Sequence, residues 1–181
     1  MRVSTILVLT FASLAFGQQF KHPDNLAPNI PTPQLVVERM LEAAHLKPGE
    51  MVYDLGCGDG RIVITAAQKF QARAVGIELS RDIYEKTSAR IHNMGLEDRV
   101  TIVHGNALHT DLSPANVVTL YLLTSSNERL KPELERYLKP GSRVVSHDFE
   151  IRGWHPSVTE RLEADGRVHS IFVYLIVAPK K

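Results

Sequence analysis

Val52-Tyr53-Asp54-Leu55-Gly56-Cys57-Gly58-Asp59-Gly60 is a short apolar run that ends in an acid and then sets glycines at alternate positions. Helix-like sequence begins directly after it, at Arg61. Glycine has no side chain, so a strand, turn and helix of this kind let the backbone bend sharply and let a ligand lie against it. The N–H groups that open the helix point back at that ligand. Eighteen residues after Gly60, a second apolar run, Ala74 to Ile77, ends in Glu78. That carboxylate is well placed to accept hydrogen bonds from two ribose hydroxyls. A nucleoside-containing ligand is the implied occupant, and the two flanking acids argue against a glycine turn that holds nothing.

The spacing separates two kinds of nucleoside site. A dinucleotide fold carries G-x-G-x-x-G, with the third glycine packing helix on sheet. Counted from Gly56 that third position is Arg61, and counted from Gly58 it is Val63. Asp-x-Gly-x-Gly-x-Gly instead resembles the first motif of class I S-adenosylmethionine-dependent methyltransferases. The resemblance implies that Asp54, Gly56, Gly58 and Gly60 support the methionine part of S-adenosyl-L-methionine, with Glu78 on the ribose. It places Asn106 and Ala107 at the adenine; Asn106 stands where the family usually has aspartate and keeps a carbonyl acceptor.

The remaining chain reads in the same order. Arg99 to Val103, Val117 to Leu122 and Arg143 to Phe149 are further strands, and Leu138-Lys139-Pro140-Gly141-Ser142 is the turn into the last of them. Helices are expected at Arg61 to Phe70, Arg81 to Met94 and Ser125 to Tyr137, each between strands, the pattern of a parallel sheet with crossover helices. An earlier helix starts at Thr32-Pro33, with threonine as cap and proline at the first helical position, and stops at Lys47-Pro48-Gly49. Val158 to Leu162 and Val168 to Val177, joined by Ala164-Asp165-Gly166, form a hairpin. The expected fold is α/β: a Rossmann-like, doubly wound, mostly parallel seven-stranded sheet ending in an antiparallel hairpin. It occupies residues 31–181, after an extended lead-in over 18–30.

Ligands of open α/β sheets lie across the carboxyl ends of the strands. Beyond the cofactor residues those ends offer Tyr121, His147 and Asp148, with the Trp154-His155 loop nearby. No Asn/Asp-Pro-Pro-Tyr segment follows strand four, which makes exocyclic base and glutamine nitrogens poor acceptors. Pro31-Thr32-Pro33, the glycine motif, Gly76-Ile77-Glu78 and Trp154-x-Pro156 are together similar to the small seven-strand protein-lysine methyltransferases. A lysine acceptor needs an aromatic wall for its cation and a route to lose a proton, since its free pKa is about 10.4. Tyr121 and Trp154 are candidates for the wall, and Tyr121 and Asp148 for the catalytic positions. Each has a bland alternative: Tyr121 as core, His147 as a satisfied structural histidine, Trp154 as an edge cover. His104, His109 and His147 lack metal-ligand spacing, so no metal is assigned. A small-molecule N- or O-methyltransferase and a non-catalytic S-adenosylmethionine-binding module stay open beside the protein-lysine reading.

Met1 to Gly17 has a positive start at Arg2, an apolar stretch from Ile6 to Phe16, and small residues Ala15 and Gly17 before Gln18. This is the layout of a signal peptide, implying an exported protein. The run is shorter than the roughly 20 residues that span a bilayer, although an uncleaved anchor is the alternative. The segment holds one of the 21 basic residues and none of the 20 acidic ones, so the remainder is formally neutral. A balanced charge gives no basic surface for nucleic acid. The lone cysteine, Cys57, has no partner for an internal disulfide and reads as a small filler in the glycine loop.

Overall fold

In the computed structural model, residues 24–178 are described. The segment Met1 to Gly17 and residues 18–23 of the lead-in lie outside that range. Twelve elements follow in chain order: α1 (Gln34–Ala43), β1 (Met51–Leu55), α2 (Arg61–Phe70), β2 (Arg73–Glu78), α3 (Arg81–Asn93), β3 (Val100–His104), a 3₁₀ turn (Ala107–His109), β4 (Val117–Leu120), α4 (Thr124–Tyr137), β5 (Arg143–His147), β6 (Val158–Ala164) and β7 (Arg167–Leu175). The seven strands form one sheet in the order β3-β2-β1-β4-β5-β7-β6. Strands β1 to β5 pair in parallel, while β7 runs antiparallel to both β5 and β6.

Burial explains why these segments become strands. The four residues of β4 are all buried, as a central parallel strand with helices on both faces requires. Edge strand β6 instead alternates between half-buried and exposed residues and carries Glu160, Arg161 and Glu163, charges that discourage pairing with another chain. One core joins Val36, Met40 and Leu41 of α1, Ile62 and Val63 of α2 and Ile91 of α3 to one sheet face. The second core places Leu130 and Leu134 of α4, with Leu112 and Leu26, on the opposite face.

Two strand ends differ from the sequence reading. β4 stops at Leu120, because Tyr121 and Leu122 leave the ladder to line a cavity. β5 stops at His147, because Asp148 takes a left-handed conformation with φ of 60°. The start of α1 is a clearer correction. Pro33 is the capping residue and no side chain caps the helix; the hydroxyl of Thr32 is instead 3.2 Å from Nδ1 of His147.

The sheet order reverses between β1 and β4. β2 and β3 extend to one side of β1, and the chain then returns to lay β4 on the other. A crevice opens at such a switch point, outside the strands' carboxyl ends.

Candidate active site

A cavity of about 240 Å³ fills that crevice. Asp54, Gly56, Cys57, Gly58 and Asp59 supply its wall from the end of β1, Ile77 and Glu78 from β2, Asn106 and Ala107 from the turn after β3, and Tyr121 and Leu122 from the end of β4. Residues 24–32 close another side. The sequence reading made 18–30 an extended lead-in and gave it no place at the site. It is fixed by Asp24, paired with Arg129 at 3.2 Å, and by the Ser126 hydroxyl, which donates to the carbonyl of Leu26.

Glu78 is buried and ties the site together. Its Oε2 accepts the Gly58 N–H at 3.0 Å and its Oε1 accepts the Ser80 N–H at 2.8 Å. Each carboxylate oxygen keeps a further lone pair for a ligand hydroxyl. Asn106 accepts the Leu108 N–H on its side-chain oxygen at 2.9 Å, which sets the 3₁₀ turn and orients the amide at the cavity.

Gly60 is not among the cavity walls. It caps α2 with φ of 77°, and a Cβ there would sit 2.8 Å from Cγ2 of Thr87, so its place is in the packing of α3 against the loop. Thr87 in turn donates to the Gly58 carbonyl at 2.6 Å. Cys57 is buried, and burial pushes its thiol up, keeping it protonated. Its Sγ fills the space over Gly76, where a Cβ would come within 2.7 Å.

Asp54 sits at the cavity floor. Burial, more than anything else, raises its carboxyl to about 7, against the hydrogen bond it accepts from Thr119 at 2.8 Å. The neighbouring charges acting on it, Glu78 and Asp59, are both negative and push the same way. A buried acidic floor with no cation on it among the described residues suits S-adenosylmethionine, which carries an ammonium and a sulfonium. A cationic ligand favours ionised Asp54, so affinity for S-adenosylhomocysteine, which keeps the ammonium, rises with pH through about 7 and then levels off. Titration calorimetry should give binding at least about threefold weaker at pH 6 than at pH 8 by proton linkage. Asp54→Asn should flatten that dependence.

Tyr121 leaves β4 with its ring on the imidazole of His147, centroids 3.8 Å apart. Its hydroxyl accepts from Arg167 at 3.0 Å, and the same guanidinium nitrogen lies 2.8 Å from Oδ2 of Asp148. Burial raises the Tyr121 phenol despite the nearby Arg167, so it is not a phenolate base near neutrality. Asp148 is not on the cavity wall; it reaches Tyr121 through Arg167. Arg167 was missed by sequence reasoning because it belongs to the hairpin, far along the chain.

His147, Asp148 and His169 bring ligand-type atoms within 4.8 Å of one another. Histidine spacing could not reveal this group, because antiparallel pairing places His147 opposite Ile171, making His169 its diagonal neighbour on the same face. The ring nitrogens already share a hydrogen bond, His147 Nε2 to His169 Nδ1 at 2.8 Å, and Arg167 holds the shared carboxylate oxygen. Arg167 thus supplies the cation of the cluster, and the two rings pair with each other. Trp154 departs from its expected place. It packs edge-on to Tyr174 and donates from Nε1 to Glu135 of α4 at 3.0 Å, over the second core rather than beside Tyr121.

The comparisons with known proteins agree with this geometry. Residues 54–158 match the family described as the ANTKMT methyltransferase domain. A protein-lysine N-methyltransferase of Saccharolobus islandicus (strain REY15A) is 50% identical over 150 residues, spanning 82% of this chain and 93% of the relative. The adenine nucleotide translocase lysine N-methyltransferase of Mus musculus is 32% identical over 66% of this chain and 52% of its own length. Among solved structures, an RNA methyltransferase from Salinibacter ruber in complex with S-adenosyl-L-homocysteine superposes with a TM-score of 0.78 and 42% identity, over 84% of this chain and 97% of that one. The glycine loop, the acid at each flank and these likenesses together make the chain an S-adenosylmethionine-dependent methyltransferase of the ANTKMT methyltransferase domain family.

Proposed function

We propose that the acceptor is the side-chain amine of lysine in a protein. The charge of the cavity carries this reading. Asp24, Asp54, Asp59 and Glu78 line it, and among the described residues one basic side chain shares that wall, Arg61, whose guanidinium is bound to Asp59 at 2.7 Å. Asp24 is paired with Arg129, so Asp54 and Glu78 set the charge at the floor. Such a chamber attracts a cationic side chain and repels phosphate. The names of the Saccharolobus and mouse relatives point the same way. The Salinibacter protein is named for RNA, and the near-equal count of basic and acidic residues here favours protein over that alternative.

In this reading Glu78 takes the ribose, Asn106 and Ala107 the adenine, and Asp54 with Gly56 and Gly58 the methionine portion. Bound there, S-adenosylmethionine supplies an electrophilic methyl group. Tyr121 presents its ring to the incoming cation, and Arg167 with Asp148 fixes the hydroxyl of that ring. Alignment of the amine supplies most of the acceleration.

Transfer from a labelled donor to a whole-cell extract tests the acceptor class. Label in protease-sensitive material is the expected result. Label in nuclease-sensitive material or in a soluble metabolite would replace it by the RNA or small-molecule reading, and donor binding without transfer would leave a binding module. Tyr121→Ala should cut transfer at least about tenfold through misalignment. Affinity for S-adenosylhomocysteine should stay within about threefold, a change below 1.4 kcal/mol. If melting temperature drops while turnover per folded molecule is unchanged, Tyr121 only packs the sheet.

A further inference from the structure

The hydrogen bonds that leave Thr32 have a fixed direction. A backbone carbonyl only accepts, so the 3.2 Å contact from His169 Nε2 to the Ala164 carbonyl puts a proton on that nitrogen. Burial holds the neighbouring His147 ring neutral, by lowering its proton affinity despite the attraction of Asp148. The neutral His147 ring has one proton, and Oδ2 of Asp148 lies 3.3 Å from its Nε2, where a bare nitrogen would set lone pair against lone pair. The proton therefore sits on Nε2, and His147 donates it to Nδ1 of His169 at 2.8 Å. The Nδ1 of His147 then holds a lone pair, and the Thr32 hydroxyl donates to it at 3.2 Å. A threonine hydroxyl has one proton and two lone pairs. Its proton is spent inward, so toward any other partner it only accepts.

Thr32 is also on the cavity wall, as is Tyr121, and His147 is bonded to the first and stacked on the second. We propose that Thr32 is a substrate-contacting residue: its hydroxyl, held as a pure acceptor by His147 and His169, takes an N–H of the acceptor amine beside Tyr121. This rests on the amine reading above and deepens it. An amine that has given its ammonium proton to water donates one N–H to Thr32, which fixes its rotation, and keeps its lone pair for the methyl carbon. A carboxylate nucleophile has no proton to offer and loses the contact. The arrangement also explains why Thr32 does not cap α1. The charged and titratable groups facing the pair are Asp148, whose Oδ2 is 3.3 Å from His147 Nε2 and 3.7 Å from His169 Nδ1, Arg167 on that same oxygen, and the Tyr121 phenol.

Two measurements test the proposal. Long-range proton–nitrogen NMR of the histidine rings in the whole chain reads the tautomers without any acceptor. Protonated Nε2 with bare Nδ1 on both His147 and His169 is expected; a proton on Nδ1 of His147 overturns the proposal. Steady-state transfer is then compared in wild type, Thr32→Val and Thr32→Ser, using the protein fraction that takes up label. Thr32→Val should lower kcat at least about tenfold with S-adenosylhomocysteine affinity within about threefold, whereas Thr32→Ser should keep kcat within about threefold. Undiminished kcat in Thr32→Val overturns it, and so does an equal loss in both variants, which would mean that the side chain acts by packing. If the wild type labels something other than lysine, the lysine reading fails; the tautomers and the valine–serine contrast still judge Thr32 on the acceptor found.

Discussion

Glu78→Ala is expected to weaken binding of S-adenosylhomocysteine by at least about 100-fold, the largest effect on the cofactor of any single substitution at the cavity. The carboxylate is buried and already holds the N–H groups of Gly58 and Ser80, at 3.0 and 2.8 Å. Removing it takes away the acceptors for two ribose hydroxyls and also releases the glycine loop. Charge-assisted hydrogen bonds are worth about 1.5–3 kcal/mol each, so two of them exceed the roughly 2.8 kcal/mol that a hundredfold change requires. Glu78→Gln keeps the size and one acceptor oxygen and should recover part of the affinity. Calorimetry on the three proteins decides the matter: binding by Glu78→Ala within about threefold of wild type would remove Glu78 from the site.

The largest effect on stability is expected from Gly60→Ala. At φ of 77° an alanine is strained, and its Cβ would lie 2.8 Å from Cγ2 of Thr87. Thr87 is buried and bonded to the Gly58 carbonyl, so it cannot give way without breaking that bond. Left-handed strain of about 1–2 kcal/mol and overpacking of about 1–3 kcal/mol add to a loss of about 2–5 kcal/mol. For a chain of this size the melting temperature should fall by roughly 4–20 °C. Gly166→Ala is the matched control, with the same φ of 77° but nothing within 4 Å of the added carbon. It carries the strain alone. Should both variants melt together, the Thr87 contact is not rigid.

The sheet could be read from the chain because its signals are local. The parallel strands are short stretches rich in valine and isoleucine, and a helix such as Gln34–Ala43 carries its buried residues, Val36, Val37, Met40 and Leu41, on one stripe. Asp54 and Glu78 were legible for a similar reason, since both end a strand beside the glycine turn. What escaped depends on contacts between distant segments. Arg167 reaches Tyr121 across 46 residues, and Thr32 reaches His147 across 115. No local pattern marks either pairing. Thr32-Pro33 carried a sound capping signal, yet a buried imidazole competes for the same hydroxyl and takes it. Asp148 stood at the right strand end, but its left-handed backbone turns the side chain to Ser170, whose N–H it accepts at 2.9 Å, and to Arg167 rather than to the cavity. Trp154 was placed by its loop alone, whereas the apolar surface of Tyr174 and the acceptor on Glu135 decide where an indole goes.

The most direct test of the central claim is to find where the methyl group ends. Purified chain is incubated with an isotopically labelled donor and a protein fraction, and the labelled band is digested and sequenced by tandem mass spectrometry. Isotopic methyl on the side-chain nitrogen of lysine, lost when Glu78 is replaced by alanine, is the predicted result. Methyl on a carboxylate, on another nitrogen, or only on copurifying RNA would contradict it.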